Sequence, residues 1–386
     1  MNSKTNLTFP HHTLEPDEVT GSVSHLNPLV YQQLSDNLRH IVKRLQDRSI
    51  KRVIYLHGTF VGNDAAGIAR RIGTRLPVAG YQLRRFIKRG VDQVSGEHGN
   101  FTASYIDQVN RLLQPSVAAT QRDGIYAEKF DWSGENNHLG RLIAATQLIN
   151  HLADLKKSMS PHDRILMVGH SHGGNVLAML SLLHHADREM VAAFFQQLSA
   201  LTEDIRQMSD NRDIWSGANA LLLKEDALPQ YDIITMGTPL RYRWPTNRTH
   251  ELIHLINHQV HDPHRPSQAW VPLKLADLRN RIGGDLIQQI GIGGSDFTPS
   301  LFSAGERRLN RKLGTIFEPT VRRRHYLRKL SRGRRESSDG RTFLVDYHEL
   351  LPNQSDILLG HGVYTLQDLI PLHLAIAATE LGANLR

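Results

Sequence analysis

The chain contains no cysteine. That excludes disulfides, cysteine-ligated zinc and thiol nucleophiles, and it leaves the redox compartment open, because a thiol-free chain survives in either setting. No run approaches the ~18 consecutive apolar residues that mark a membrane-spanning helix, so no span is expected. The first thirty residues, punctuated by Pro10, Pro16 and Pro28, lack an apolar core behind a basic start. A Sec signal peptide is therefore not expected; the protein should be cytoplasmic as synthesised, with any export by a signal-peptide-independent route. Internal repeats and low-complexity blocks are also missing. What remains is an ordinary globular balance: 386 residues, 40% hydrophobic and 22% charged, enough for a large core and unlike a disordered chain. The formal charge is +8, and 22 uncounted histidines would raise it on acidification.

Residues 1–28 read as a flexible polar lead-in that ends at Asn27-Pro28. Apolar residues at helical spacing follow over 29–45, and 65–114 is mostly helical with glycine interruptions. Short β-type runs occur at 52–57, 125–130, 164–168, 231–236, 251–260 and 342–346, with helical segments at 139–156, 175–185, 190–208 and 366–381 between and after them. Strands alternating with helices predict an α/β fold: a mostly parallel sheet covered on both faces, forming one domain over 29–386 with insertions. Ligands of such sheets bind at the carboxyl ends of the strands. Gly58, Gly169, Gly237 and Asp262 all follow predicted strands directly, which assigns their loops to one rim.

One of those loops carries a nucleophile pattern. Gly169-His170-Ser171-His172-Gly173 is a G-x-S-x-G pentapeptide with an apolar strand before it and a helical run from Asn175 after it. The pattern alone is common. In that context it describes a turn so sharp that glycine is needed at its ends, presenting the Ser171 hydroxyl above the sheet beside helix N-terminal amides.

His170-Ser171-His172-Gly173-Gly174 resembles the elbow of bacterial lipases in the α/β-hydrolase superfamily. Tyr55-Leu56-His57-Gly58-Thr59 is similar to their His-Gly oxyanion loop, and Gly237-Thr238-Pro239 to a Gly-Thr-Pro turn common in lipases. The likeness spans about 52–381 as islands in the expected order. It implies a Ser–His–acid triad in the chain order Ser, acid, His, with no cofactor and no metal. It also implies that the backbone N–H groups of Thr59 and His172 hold the oxyanion. A serine hydroxyl needs a base to take its proton, and preorganised amides to meet the developing charge.

The base is expected after the last strand, on a loop near the C-terminus. His361, between Gly360 and Gly362, meets that description; His348 lies too close to the strand and His373 falls inside the final helix. The acid stays open between two residues. Asp262 follows the 251–260 strand directly, whereas Asp296, in Gly293-Gly-Ser-Asp296, requires a long insertion. Asp285 reads as the N-cap of a helix over 286–290.

Other features carry competing readings. His250, His254, His258 and His261 are spaced 4, 4 and 3 apart, a pattern that a metal site could use, although no H-E-x-x-H accompanies it. Asp131-Trp132 to Asn137 lies on the same rim, either as a pocket wall with Asn136 and Asn137 orienting the Thr59 loop, or as a helix lead-in with Trp132 in the core. A basic insertion covers about 305–338: twelve Lys or Arg lie between Arg307 and Arg335 against one acid, Glu318. It suits peripheral contact with an anionic membrane, at ~1 kcal/mol per basic residue near the surface; nucleic acid is not the expected partner. The segment at about 190–228 is a lid candidate. The function expected is acyl-ester hydrolysis on a lipid or phospholipid substrate. The alternatives are a thioesterase, peptidase or acyltransferase on the same scaffold, or a non-catalytic lipid- or nucleic-acid-binding module.

Overall fold

Strands that are apolar on both faces need cover on both sides, and that requirement sets the architecture. In the computed structural model, which describes residues 7–12, 21–59, 99–114, 124–205, 208–245, 250–268, 284–292, 303–319, 336–351 and 360–381, seven strands form one sheet. They are β1 (Ser22–Leu26), β2 (Ile50–Leu56), β3 (Tyr126–Phe130), β4 (Arg164–His170), β5 (Gln230–Met236), β6 (Leu252–Asn257) and β7 (Arg341–Val345). The order is β1-β7-β6-β5-β4-β2-β3 and every pairing is parallel. The protein is therefore α/β, as its pattern predicts.

The helices are α1 (Pro28–Ser35), α2 (Leu38–Asp47), α3 (Ala103–Leu113), α4 (His138–Lys156), α5 (His172–His185), α6 (Arg188–Thr202), α7 (Ser209–Leu222), α8 (Leu286–Ile292), α9 (Ala304–Phe317) and α10 (Ile370–Glu380). Side-chain alternation along β4 shows how two cores arise. Ile165 and Met167 join the core under α4–α7 and α9; Leu166 and Val168 join the opposite core with α2, α3 and α10. Among the described residues no helix is long and apolar enough to cross a membrane.

Two expectations need correction. The segment 1–28 is not simply a lead-in: Ser22–Leu26 pairs with β7 from Ser22↔Arg341 to Leu26↔Val345. Further back, Phe9 is buried, stacked on Phe317 at 4.9 Å and edge-on to Phe194 at 5.5 Å. One aromatic anchor and one edge ladder hold the described parts of a stretch whose composition is polar. The lid candidate is also a core layer. Phe194, Phe195 and Leu198 of α6 and Trp215 of α7 are buried in the core that includes α4. Returning the first three to water would cost on the order of 5–9 kcal/mol, comparable to a whole domain's stability. The predicted helical stretch at 65–114 is described only from 99 onward, where α3 forms; the rest lies outside the described residues.

Candidate active site

The chain passes from β2 outward to β3, then returns to the far side of β2 as β4 and continues outward through β5. The order in which strands are added reverses between β2 and β4, and open parallel sheets place their ligand crevice at the carboxyl end of such a point. Thr59 follows β2 there, and Ser171 follows β4.

Ser171 has φ 52° and ψ −129°, a left-handed conformation that a residue with a Cβ adopts only when its surroundings enforce it. Three hydrogen bonds do so: Ser171 N–H donates to Met236 O at 2.9 Å, and Ser171 O accepts from Thr238 Oγ1 at 2.9 Å and Gly174 N at 3.0 Å. The elbow glycines are steric necessities. A Cβ on Gly169 would lie 2.7 Å from Gly174, and one on Gly173 would lie 2.6 Å from the carbonyls of Leu56 and His57. The same packing brings the β2 loop against the serine, since a Cβ on Gly58 would stand 3.0 Å from Ser171 Cβ and 3.5 Å from its Oγ.

His361 lies on the loop entering α10, buried, with its ring centroid 4.5 Å from that of His170. His170 Nε2 donates to His361 O at 3.1 Å, tying the loop to the elbow. Burial, and next the neighbouring His361, push the His170 pKa well below its ordinary value, so the ring serves as a neutral donor. His361 Nδ1 meets a fully buried carboxylate, at 2.9 Å from Oδ1 and 2.8 Å from Oδ2. That carboxylate is Asp285.

Neither acid candidate occupies this position. Asp262 is on a partly exposed turn, where its Oδ1 accepts from His264 N at 2.8 Å, and Asp296 lies outside the described residues. Asp285 N donates to Asn257 O at 2.9 Å, so the carboxylate beside His361 sits at the carboxyl end of β6, the strand after which an acid was expected. Asp285 does cap α8, accepting from Gln288 N at 2.7 Å on Oδ1. Capping uses only part of an acceptor that has two oxygens and about four lone-pair sites, so the cap and the histidine partner are one residue. Tyr364 Oη completes the set, donating to Oδ2 at 3.1 Å and accepting from Asn257 N at 2.6 Å. A glycine-glycine-acid step opening a predicted helix was the available signal. With a carboxylate accepting at Nδ1, the Nε2 of a neutral His361 is left as the basic nitrogen.

The loop after β2 is held by Trp132. Its Nε1 donates to His57 O at 3.0 Å, its backbone N–H donates to His57 Nε2 at 3.4 Å, and the two rings stack at 5.6 Å. His57 Nε2 is thus an acceptor and Nδ1 carries the proton, which it donates to Gly58 O at 2.8 Å. In a trans peptide the Gly58 C=O and the Thr59 N–H point in opposite directions, so this bond also fixes where the Thr59 amide points. Trp132 is both core and loop anchor. Asn137 caps α4 through Gly140 N at 2.8 Å, and Asn136 accepts from Arg141 at 3.2 Å.

The four spaced histidines do not converge. His250 packs on His185 and Tyr231, at 5.1 Å from each; His254 binds Thr235 Oγ1 and Asp339 O; His258 donates to Pro266 O at 2.6 Å. Among the described residues, no group of three or more potential ligands is arranged to hold a metal ion. In the basic insertion, α9 buries Leu309, Leu313, Ile316 and Phe317 and exposes Arg308, Arg311 and Lys312; residues 320–335 lie outside the described set. No protein-family model matches the chain, and no curated protein matches it.

Proposed function

We propose that the chain is a serine hydrolase acting on carboxylic acyl esters. The observation that carries the reading is the buried His361–Asp285 pair, tied through His170 to a serine in a left-handed turn at the reversal point of the sheet. In this mechanism Ser171 Oγ attacks the ester carbonyl carbon while His361 Nε2 takes the hydroxyl proton. Asp285 holds the imidazole by Nδ1 and stabilises its charge. The Thr59 and His172 amides meet the tetrahedral oxyanion, a contribution worth about 3 kcal/mol per donor. The intermediate collapses as His361 protonates the departing alcohol, and the acyl-enzyme is then hydrolysed by water that His361 deprotonates.

A lipid or phospholipid substrate is favoured by the basic face of α9. Asn310 Oδ1 accepts from Leu139 N at 3.0 Å and Glu318 lies 3.5 Å from His138 Nε2, so α9 runs beside the start of α4 at the carboxyl rim. Arg308, Arg311 and Lys312 would there face anionic headgroups.

The deciding experiment is fluorophosphonate labelling of wild type and Ser171→Ala, scored with p-nitrophenyl ester turnover. Labelling and turnover that vanish together in the variant support the nucleophile. Labelling that persists would sink it. Thioester, peptide and acyl-acceptor panels separate the same-scaffold alternatives, and vesicle binding that falls with salt tests the α9 face.

A further inference from the structure

The elbow has a mechanical problem that points beyond the triad. Ser171 is the N-cap residue of α5, and its side chain makes no capping hydrogen bond. A serine at this position ordinarily accepts from an amide of the first turn, worth ~1 kcal/mol. A nucleophilic serine cannot spend its hydroxyl that way. The first turn of α5, which carries the proposed oxyanion donor at His172, must be held from elsewhere.

The holding contacts converge on the His172 side chain. Arg141, a fully buried residue of α4, places Nη1 3.3 Å from His172 Nδ1 and 3.2 Å from Asn136 Oδ1. Asn175 Nδ2 lies 3.2 Å from the same Nδ1, and its orientation is fixed by Pro239 O at 3.0 Å. A guanidinium has donors only, so Nδ1 is an acceptor and a neutral His172 ring carries its proton on Nε2. Arg141 is itself braced. Its Nε donates to Tyr242 Oη at 2.8 Å and its guanidinium lies over the Tyr242 ring at 5.4 Å. Tyr242 Oη in turn pairs with His138 Nδ1 at 2.8 Å, beside the Arg241–Glu318 ion pair.

We propose that Arg141 is a positioning residue for the oxyanion site: by clamping the His172 imidazole it fixes the residue whose backbone N–H meets the developing charge. The inference rests on the hydrolase reading above and assigns a role to a residue 30 positions from the nucleophile in sequence. Because the clamp acts on the group that meets the transition state, its loss should appear in kcat rather than KM.

The test compares wild type, Arg141→Lys, Arg141→Met and the milder Tyr242→Phe, each active-site-titrated with a fluorophosphonate so that rates refer to competent sites. Arg141→Met is expected to lower kcat per site about tenfold to a hundredfold with KM within about threefold, in line with small displacements of preorganised groups. Affinity for a boronic acid that mimics the tetrahedral adduct should fall by the same factor. Tyr242→Phe should follow in the same direction by about threefold. In a His172→Ala background, removing Arg141 should change kcat by less than about twofold, because the clamp has lost its target. Unchanged kcat and mimic affinity per titrated site, with only fewer sites or a lower Tm, would reduce Arg141 to a fold-stabilising residue and overturn the proposal. Wild-type protein that takes up no fluorophosphonate would overturn the hydrolase reading and this inference together.

Discussion

The two ends of the sheet each bury a carboxylate, and they treat it oppositely. At the amino end Asp232 of β5 is fully buried between Arg48 and Arg164. The Arg48 contacts are 2.8 and 3.1 Å, the Arg164 contacts 3.0 and 2.7 Å, and Glu251 N adds a fifth bond at 2.9 Å. Burial works against that charge, yet the two guanidiniums prevail and hold the carboxyl below its ordinary range. At the carboxyl end Asp285 meets an imidazole, a phenol and one backbone amide. Permanent cations give the first carboxylate no proton to exchange. The second faces a group that can gain and lose one. A buried charge with fixed partners is architecture, and one with a titratable partner can do chemistry.

The largest expected effect separates the two directly. Asp285→Asn should lower kcat about 10⁴-fold with the fold retained, as loss of the orienting acid does in other triads, whereas Asp262→Asn should leave turnover within about twofold. Turnover retained in Asp285→Asn, or lost only in Asp262→Asn, would remove Asp285 from the mechanism. Asp232→Asn should do the reverse, costing about 3–5 kcal/mol in denaturant unfolding by leaving two partly buried guanidiniums without their buried carboxylate, with kcat per folded molecule unchanged.

Gly237 tests how tightly the carboxyl end is built. Its φ is +58°, and a Cβ there would lie 2.5 Å from both Asp285 Oδ2 and Tyr364 Cε2. Gly237→Ala should therefore cost about 1–3 kcal/mol through strain and also depress kcat by displacing the acid. A stability loss with full activity per titrated site would show that the acid tolerates the shift.

The smallest effect concerns pH at the amino end, where His184 and His250 are both pushed down to about 4, chiefly by burial and next by the neighbouring His185. Their folded-state values lie below the unfolded value of about 6.5. The stability they contribute is complete above that value and is lost as pH falls from 6.5 toward 4, at up to about 1.4 kcal/mol per pH unit each. His250→Gln should flatten the decline in Tm between pH 6.5 and 5; an unaltered slope would show that His250 takes no part in it.

Much of this contrast was legible in the chain and some was not. The parallel sheet, the rim and the elbow follow from patterns spanning a few residues. β1 was missed because an edge strand needs little apolar content, and Ser22–Leu26 is mostly exposed. The carboxylate that meets His361 does not stand out in the sequence, because Asp285 is fully accounted for there as a helix cap. Nothing in a linear sequence says that one oxygen pair can serve a helix and a histidine at once.

What the sequence determined by itself is the elbow and its surroundings, because φ/ψ limits, glycine spacing and apolar periodicity act between near neighbours. What only the tertiary structure decided is which carboxylate lies behind His361, how Trp132 grips His57, and that Arg141 reaches His172. Those pairings depend on where an inserted segment docks again on Asn257 and how α4 seats against α5. Packing over long sequence separations selects among contacts that local rules leave equally open.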